Sequence, residues 1–326
     1  MSQHLLTAQF LPSPSVSQFS LGPLTVHIYA LCILTGIFVA WGWGRRRLAA
    51  RGGDPAELET MITVAVVAGI VGARAYHVIT DHQLFFGPGR DIWDAFRIWQ
   101  GGLGIVGGVL FGAIAMLVMC RRRGWSFPSM ADVLAPTLLV AQGIGRVGNW
   151  FNQELFGRPT RLPWGLKIDP DHRPDGYGQF TTFHPTFLYE MLWNFTGAGV
   201  LVVLEKRFRL GHGRLFMLYM MWYSFGRFWI EGLRVDPANQ LAGMRVNEWV
   251  SIAIFLLGLA GFLLLRRGVV ADPFPSAAHQ DAEQSVDDAA EGDTDALEPA
   301  EVLDPGSGGG GERQGDAAGE DAEAHS

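Results

Sequence analysis

The sequence predicts an all-α polytopic membrane protein of about seven transmembrane helices, and three observations carry that prediction. Hydrophobic residues make up 48% of the 326 and charged residues only 17%, against about 25% charged in an ordinary soluble domain. Apolar runs near the roughly 20 residues needed to cross a bilayer core recur along the chain. Clusters of arginine and lysine follow alternate runs, as expected of a chain that threads back and forth with its bases on one side.

The first run, Leu24–Trp43, ends at Arg45-Arg46-Arg47. No basic segment precedes it, Pro12 and Pro14 lie upstream, and no small-x-small site follows it before Arg45. It is therefore expected to remain as a span rather than be removed as a signal peptide. The second run, Met61–Thr80, contains Arg74 beside Tyr76 and His77. The third, Leu103–Cys120, follows Gly101-Gly102, carries Gly107-Gly108 and ends at Arg121-Arg122-Arg123. The fourth, Val133–Trp150, contains Arg146; the fifth, Phe187–Leu204, ends at Lys206-Arg207 with Arg209. The sixth, Leu215–Ile230, contains Arg227, and the seventh, Trp249–Leu265, ends at Arg266-Arg267. The glycine pairs, with Gly143-x-Gly145, are expected to let helix backbones approach closely.

All four basic clusters follow odd-numbered spans, which predicts an N-terminus outside and a C-terminus in the cytoplasm. Residues 1–23 are then an extracytoplasmic segment, 24–267 the transmembrane domain and 268–326 a cytoplasmic tail. The net charge of −7 belongs to the tail: Ala271–Ser326 holds 16 of the 32 acidic residues and one base, Arg313. Too polar to bury a core, it is expected to be disordered. The remainder carries a basic surplus, which suits an anionic bilayer or an anionic lipid.

Three arginines, Arg74, Arg146 and Arg227, fall inside apolar runs. Each costs roughly 2.5–3.5 kcal/mol at a helix centre on insertion scales, so each needs a partner or a wet cavity. Arg74, near the outer end of its span, is satisfied equally well by reaching the interface or by serving a site. Arg146 shares a helical face with Gln142 and Asn149, and the chain continues through Asn152 and Glu154 to Gly157. A guanidinium with two amides and a carboxylate at an outer helix end suits an anionic head group, because its planar fork donates two parallel hydrogen bonds to phosphate. Tyr223, Arg227, Glu231 and Arg234 recur at intervals of four, four and three and so line one face. His27 and Tyr29 enter the first span from the same side, where His184-Pro185 opens the fifth, with Tyr189 and Glu190 one turn deeper.

Other motifs carry less. Gly143-Ile144-Gly145-Arg146-Val147-Gly148 matches the dinucleotide-binding fingerprint, but that motif has meaning only after a strand and at a helix start, and here it lies near the end of an apolar run in a chain expected to have no sheet. Cys32 and Cys120 sit in apolar runs and read as inert small hydrophobes. No Cys/His ligand set is clustered, so neither a metal nor a cofactor is expected.

The run Gly145-Arg146-Val147-Gly148-Asn149-Trp150-Phe151-Asn152-Gln153-Glu154-Leu155-Phe156-Gly157-Arg158 closely resembles the signature of prolipoprotein diacylglyceryl transferases. His27-Ile28-Tyr29, Gly72-Ala73-Arg74, Trp99-Gln100-Gly101-Gly102, Asp132 with Ala135-Pro136, His184-Pro185-Thr186 and Tyr223-x-x-x-Arg227-x-x-x-Glu231-x-x-Arg234 follow the same family's order, over roughly residues 20–265. The resemblance implies a seven-helix bacterial plasma-membrane enzyme with its site toward the extracytoplasmic leaflet. Such enzymes move the diacylglyceryl group of phosphatidylglycerol onto the lipobox cysteine of a preprolipoprotein and release glycerol 1-phosphate. It implies that the family's essential arginines correspond to Arg146 and Arg227, its signature amide and acid to Asn149 and Glu154, and its first-helix tyrosine to Tyr29. Joined to the reading of the residues, this predicts catalytic roles for Arg146, Arg227, Glu231, Glu154, His184 and Tyr29, and substrate contacts from Arg146, Asn149, Asn152, Gly157, Arg234 and Tyr223. One position departs: many members carry a histidine just before the paired glycines of the third span, where this chain has Val106. The expected partners are phosphatidylglycerol, a lipobox segment and membrane lipids, without nucleic acid, and the expected working unit is a monomer. Composition alone leaves open a lipid- or polyprenyl-phosphate transferase of different acceptor, and a transporter with its arginines along a pathway.

Overall fold

In a computed structural model that describes residues 10–22, 24–87, 89–268 and 273–275, seven α-helices account for most of the described residues. They are α1 (Ile28–Ala49), α2 (Pro55–Thr80), α3 (Ile105–Arg122), α4 (Phe127–Phe151), α5 (Thr186–Phe208), α6 (Arg214–Glu231) and α7 (Val246–Leu264). Six are long and apolar enough to cross a membrane, and α6 falls short of that criterion among the described residues. The reason is in its sequence: Arg214, Tyr219, Tyr223, Arg227 and Glu231 replace the apolar residues of an ordinary span. A helix carrying such a stripe has to be covered by its neighbours, and α4, α5 and α7 all pack against α6.

Small residues set how closely the helices approach. A Cβ on Gly107 of α3 would lie 2.2 Å from the carbonyl oxygen of Gly72 in α2, so these two backbones touch. On α5 and α6 the arrangement is reciprocal. Trp193 fills the space over Gly226 and Trp222 the space over Gly197, and each indole N–H donates to the other tryptophan's carbonyl at 3.0 Å. α4 is the most enclosed candidate span, with half of its apolar window buried.

Four sequence expectations are corrected. Leu24–His27 is not helical but forms strand β2, paired antiparallel with β1 (Gln18–Leu21), so this hairpin crosses the expected boundary at residue 23. The chain is not free of sheet: two more two-stranded ribbons, β3 (Leu166–Lys167) with β4 (Thr182–Phe183) and β5 (Gln240–Leu241) with β6 (Met244–Arg245), brace the loops. No strand leads directly into residues 143–148, which lie inside α4. Gly101 and Gly102 do not serve helix packing. Both have positive φ, 89° and 73°, in the loop before α3. Finally, Gly145 meets no neighbour within 4 Å.

Two anchors stand out at the helix ends that carry the basic clusters. The buried Asp132 carboxylate accepts the backbone N–H groups of Gly213 and Phe216 at 2.8 and 2.9 Å, capping the start of α6. Pro273-Phe274-Pro275, beyond α7, docks back: Phe274 is 2% exposed among Leu48, Leu58, Trp125 and Met130. Ser126 N–H donates to the Pro273 carbonyl at 2.9 Å and the Trp125 indole to that of Pro275 at 3.2 Å. The rest of the acidic tail lies outside the described residues, as do residues 1–9.

Candidate active site

Antiparallel threading brings the C-terminal ends of α2, α4 and α6 to the same end of the bundle as the N-terminal ends of α1, α3, α5 and α7. Arg146, Glu190 and Arg227 each sit about 6–8 Å of helix length from that end of α4, α5 and α6. There they meet. Glu190, buried, accepts from Arg146 Nε at 2.6 Å through one oxygen and from Arg227 at 3.3 Å through the other. One carboxylate thus spans two guanidinium groups from different helices.

A second carboxylate continues the network. Glu231 has no exposed surface and accepts from Arg227 at 2.7 Å, Arg234 at 3.0 Å, Arg245 at 2.8 Å and Asn247 at 3.2 Å. Asp236 takes Arg234 at 2.7 Å and Arg245 at 2.9 Å. Four guanidinium groups face three directly paired carboxylates, and Glu154, reached from Arg146 through Asn149, is the fourth acid of the site. A buried ion network of this kind costs desolvation and is weak evidence for stability alone. Its chemical consequence is clearer: it holds Arg146 and Arg227 in fixed, partly buried positions from which a guanidinium fork can donate to an anion.

Around Arg146 the signature residues fall into place. Arg146 donates to Asn149 Oδ1 at 3.2 Å, and Asn149 donates in turn to Glu154 at 2.7 Å. Asn152 reaches the same Glu154 oxygen at 3.2 Å. The chain makes this turn at a cost, with Gln153 and Leu155 both at positive φ, 51° and 59°. Tyr29 and Tyr223 lie beside the Arg146 guanidinium. Tyr29 packs on Gly148, where a Cβ would come within 2.5 Å of its ring. A cavity of about 310 Å³ opens alongside, lined by Asn152, Glu154, Phe156 and Asp236 among others.

Other predicted residues have different surroundings. Gly157 lies at a backbone junction: its N–H donates to the His184 carbonyl at 2.9 Å, and it bridges to Arg234. A Cβ there would stand 2.8 Å from that of His184. The His184 ring is hydrogen-bonded to Tyr189 at 3.0 Å rather than to the arginine network, and burial holds it below the ordinary histidine value. Arg74 is buried and does not join the network. It donates to the carbonyls of Ala95 at 2.8 Å, Gly101 at 2.7 Å and Gly102 at 3.0 Å, and also to that of Asp94. This arginine gathers the α2–α3 loop, and the positive-φ glycines let their carbonyls turn toward it. Val106 is 56% exposed on α3, facing out of the helix pack.

Sequence reasoning missed three participants. The sequence places Glu190 one turn into the fifth helix without a role, and it singles out neither Arg245 nor Asp236 for the site. The available signal was a count of charge: three arginines near one helix end need more carboxylate than Glu231 supplies. Among the described residues no three metal-ligating side chains cluster.

Comparison with known proteins is consistent with this geometry. The family model for prolipoprotein diacylglyceryl transferase matches residues 17–264. A phosphatidylglycerol–prolipoprotein diacylglyceryl transferase of Cutibacterium acnes is 56% identical over 257 residues, covering 79% of this chain and 87% of its own. Proteins of the same name from Bifidobacterium adolescentis and Paenarthrobacter aurescens are 47% and 50% identical, covering 80% and 82% of this chain and 82% and 86% of theirs. The chain belongs to the prolipoprotein diacylglyceryl transferase family.

Proposed function

We propose that this protein transfers the diacylglyceryl group of phosphatidylglycerol to the lipobox cysteine of preprolipoproteins, with Arg146 and Arg227 as the groups that handle the phosphate. Similarity to the relatives above supports the reaction. The observation that carries the residue assignment is the convergence of these two guanidinium groups on Glu190. In the reaction, cysteine sulfur forms a bond to the terminal glycerol carbon of the diacylglyceryl group. The carbon–oxygen bond to phosphate breaks, and the electron pair leaves with glycerol 1-phosphate.

The demands are unequal. A thiol with a pKa near 8.5 needs modest help to ionise, and nearby cations supply it. The greater need is to stabilise charge gathering on the departing phosphate, where one preorganised donor contributes about 3–4 kcal/mol. Arg146 grips the phosphate, Asn149 and Asn152 position the head-group glycerol, and Arg227 stabilises the leaving group. Glu190 and Glu231 hold both guanidinium groups before substrate arrives. Glu154, His184 and Tyr29 are the groups proposed to handle or orient the thiol proton; Val106 has no proton to move. Arg234 and Tyr223 complete the wall and Gly157 the loop junction. The site faces the extracytoplasmic leaflet of the bacterial plasma membrane, where a secreted lipobox arrives, and the protein works as a monomer.

The test is transfer from phosphatidylglycerol to a lipobox peptide by the purified protein in detergent. Arg146→Ala is expected to lower the rate by about 10²–10³-fold. A folded Arg146→Ala protein that transfers at the wild-type rate removes the assignment.

A further inference from the structure

At the other end of α6, about 20 Å from Arg227 by helix length, the chain builds a second basic feature. A cavity of about 410 Å³ opens where α5, α6 and α7 diverge. Leu204, Phe208, Leu218 and Phe262 supply its apolar walls, and Arg214 and Arg267 line it as well.

Arg214 is held in place there. Its Nε donates to the Phe262 carbonyl at 3.2 Å and its guanidinium lies 4.1 Å over the Phe262 ring. Among the described residues it has no ion pair, and neither does Arg267. The remaining N–H groups of a positioned fork are thus unspent. Arg214 is also the first residue of α6, whose opening N–H groups are already capped by Asp132, so an anion at the cleft is held by side chains and not by the helix end. Lys206, Arg207, Arg209 and Arg266 lie in the neighbouring stretches of the chain, at the ends of α5 and α7. Apolar walls beside one held guanidinium and a second, exposed one, at the end of three apolar or amphipathic helices, match one ligand chemistry: an acyl chain beneath a phosphate.

We propose that this cleft binds one anionic glycerophospholipid from the leaflet at that end, with its phosphate on Arg214 and Arg267 and an acyl chain along Leu204, Phe208, Leu218 and Phe262. It is a site separate from the arginine–carboxylate network and independent of the transfer reaction. A soluble anion leaves the apolar walls bare. An acidic peptide does the same, and its carboxylates suit the charge but not the cavity.

The experiment uses the full-length protein in phosphatidylcholine nanodiscs doped with phosphatidic acid, a lipid with no head-group glycerol. Retained lipid is counted by native mass spectrometry, and the thermal midpoint is read with and without the dopant. Wild type and Arg146→Ala are expected to keep one phosphatidic acid per chain and to gain stability from it. Retention by R214Q/R267Q is expected to fall by about tenfold, with its midpoint unmoved by the dopant, and R214K/R267K should recover part of the effect. Arg267→Gln alone, at an exposed position, covers the case in which the double variant does not fold, and its retention should also drop. Equal retention by wild type and the Gln variants overturns the proposal. So does loss of retention in Arg146→Ala, an equal stability gain from inorganic phosphate, or retention that appears only once residues 276–326 are deleted.

Discussion

At the scale of single residues, Glu231 is the most consequential side chain outside the phosphate-handling pair. It has no exposed surface and takes three guanidinium groups. Glu231→Gln keeps the volume and removes the charge that balances them. Breaking a buried pair in this way is expected to cost about 3–5 kcal/mol, read as a lowered thermal midpoint in detergent, and to lower transfer along with it. Arg146→Lys is expected to behave nearly as badly as Arg146→Ala in transfer, because one ammonium cannot reproduce the fork that meets Glu190 and Asn149 together. Asp236 offers a pH test. Burial pushes its carboxyl up, but the hydrogen bond and charge of Arg234, then the charge of Arg245, outweigh that and hold it below the usual carboxylate range. An acid lowered in the folded state contributes stability above its unfolded pKa, near 3.9, and loses it as pH falls through the native value. The stability difference between wild type and Asp236→Asn should therefore be full at pH 6 and shrink below about pH 4, as followed by midpoints across pH.

At the scale of elements, what decides the outcome is which small residues face a neighbour. Gly145 and Gly148 are three apart on α4, and sequence gives them equal standing. The first meets nothing within 4 Å, whereas a Cβ on the second collides with Tyr29. Gly145→Ala is expected to be neutral or stabilising by about 0.5–1 kcal/mol, while Gly148→Ala displaces Tyr29 and lowers transfer. Paired midpoint and rate measurements distinguish them. The docked Phe274 is another element-level feature. Phe274→Ala empties a pocket closed by Leu48, Trp125 and Met130, with an expected loss of about 3–5 kcal/mol measurable by thermal unfolding. Helix existence was legible because apolar runs of span length have few alternative structures. The hairpin over Gln18–His27 was not legible, because Leu24-Thr25-Val26 reads equally as the start of an apolar run.

At the scale of the whole molecule, up-and-down threading turns a scattered set of polar residues into one site. Arg146, Glu190 and Arg227 are up to 81 positions apart in the chain, yet all lie near the same ends of their helices. The basic clusters at the opposite ends predict the orientation, and fusions test it. A fluorescent protein joined after Ser326 should fold and fluoresce in the cytoplasm, whereas alkaline phosphatase joined there should stay inactive. The reverse pattern would invert the assignment of leaflets.

The sequence by itself determined the class, the seven helices, the family and the residues around Arg146, because bilayer thickness and the cost of buried charge leave strong local marks. Only the tertiary structure decided that Glu190 joins the two arginines, that Arg74 serves a loop rather than the site, and that Phe274 returns to the bundle. Those outcomes depend on contacts between segments far apart in the chain, and hydropathy, which is a local property, does not encode which charge meets which.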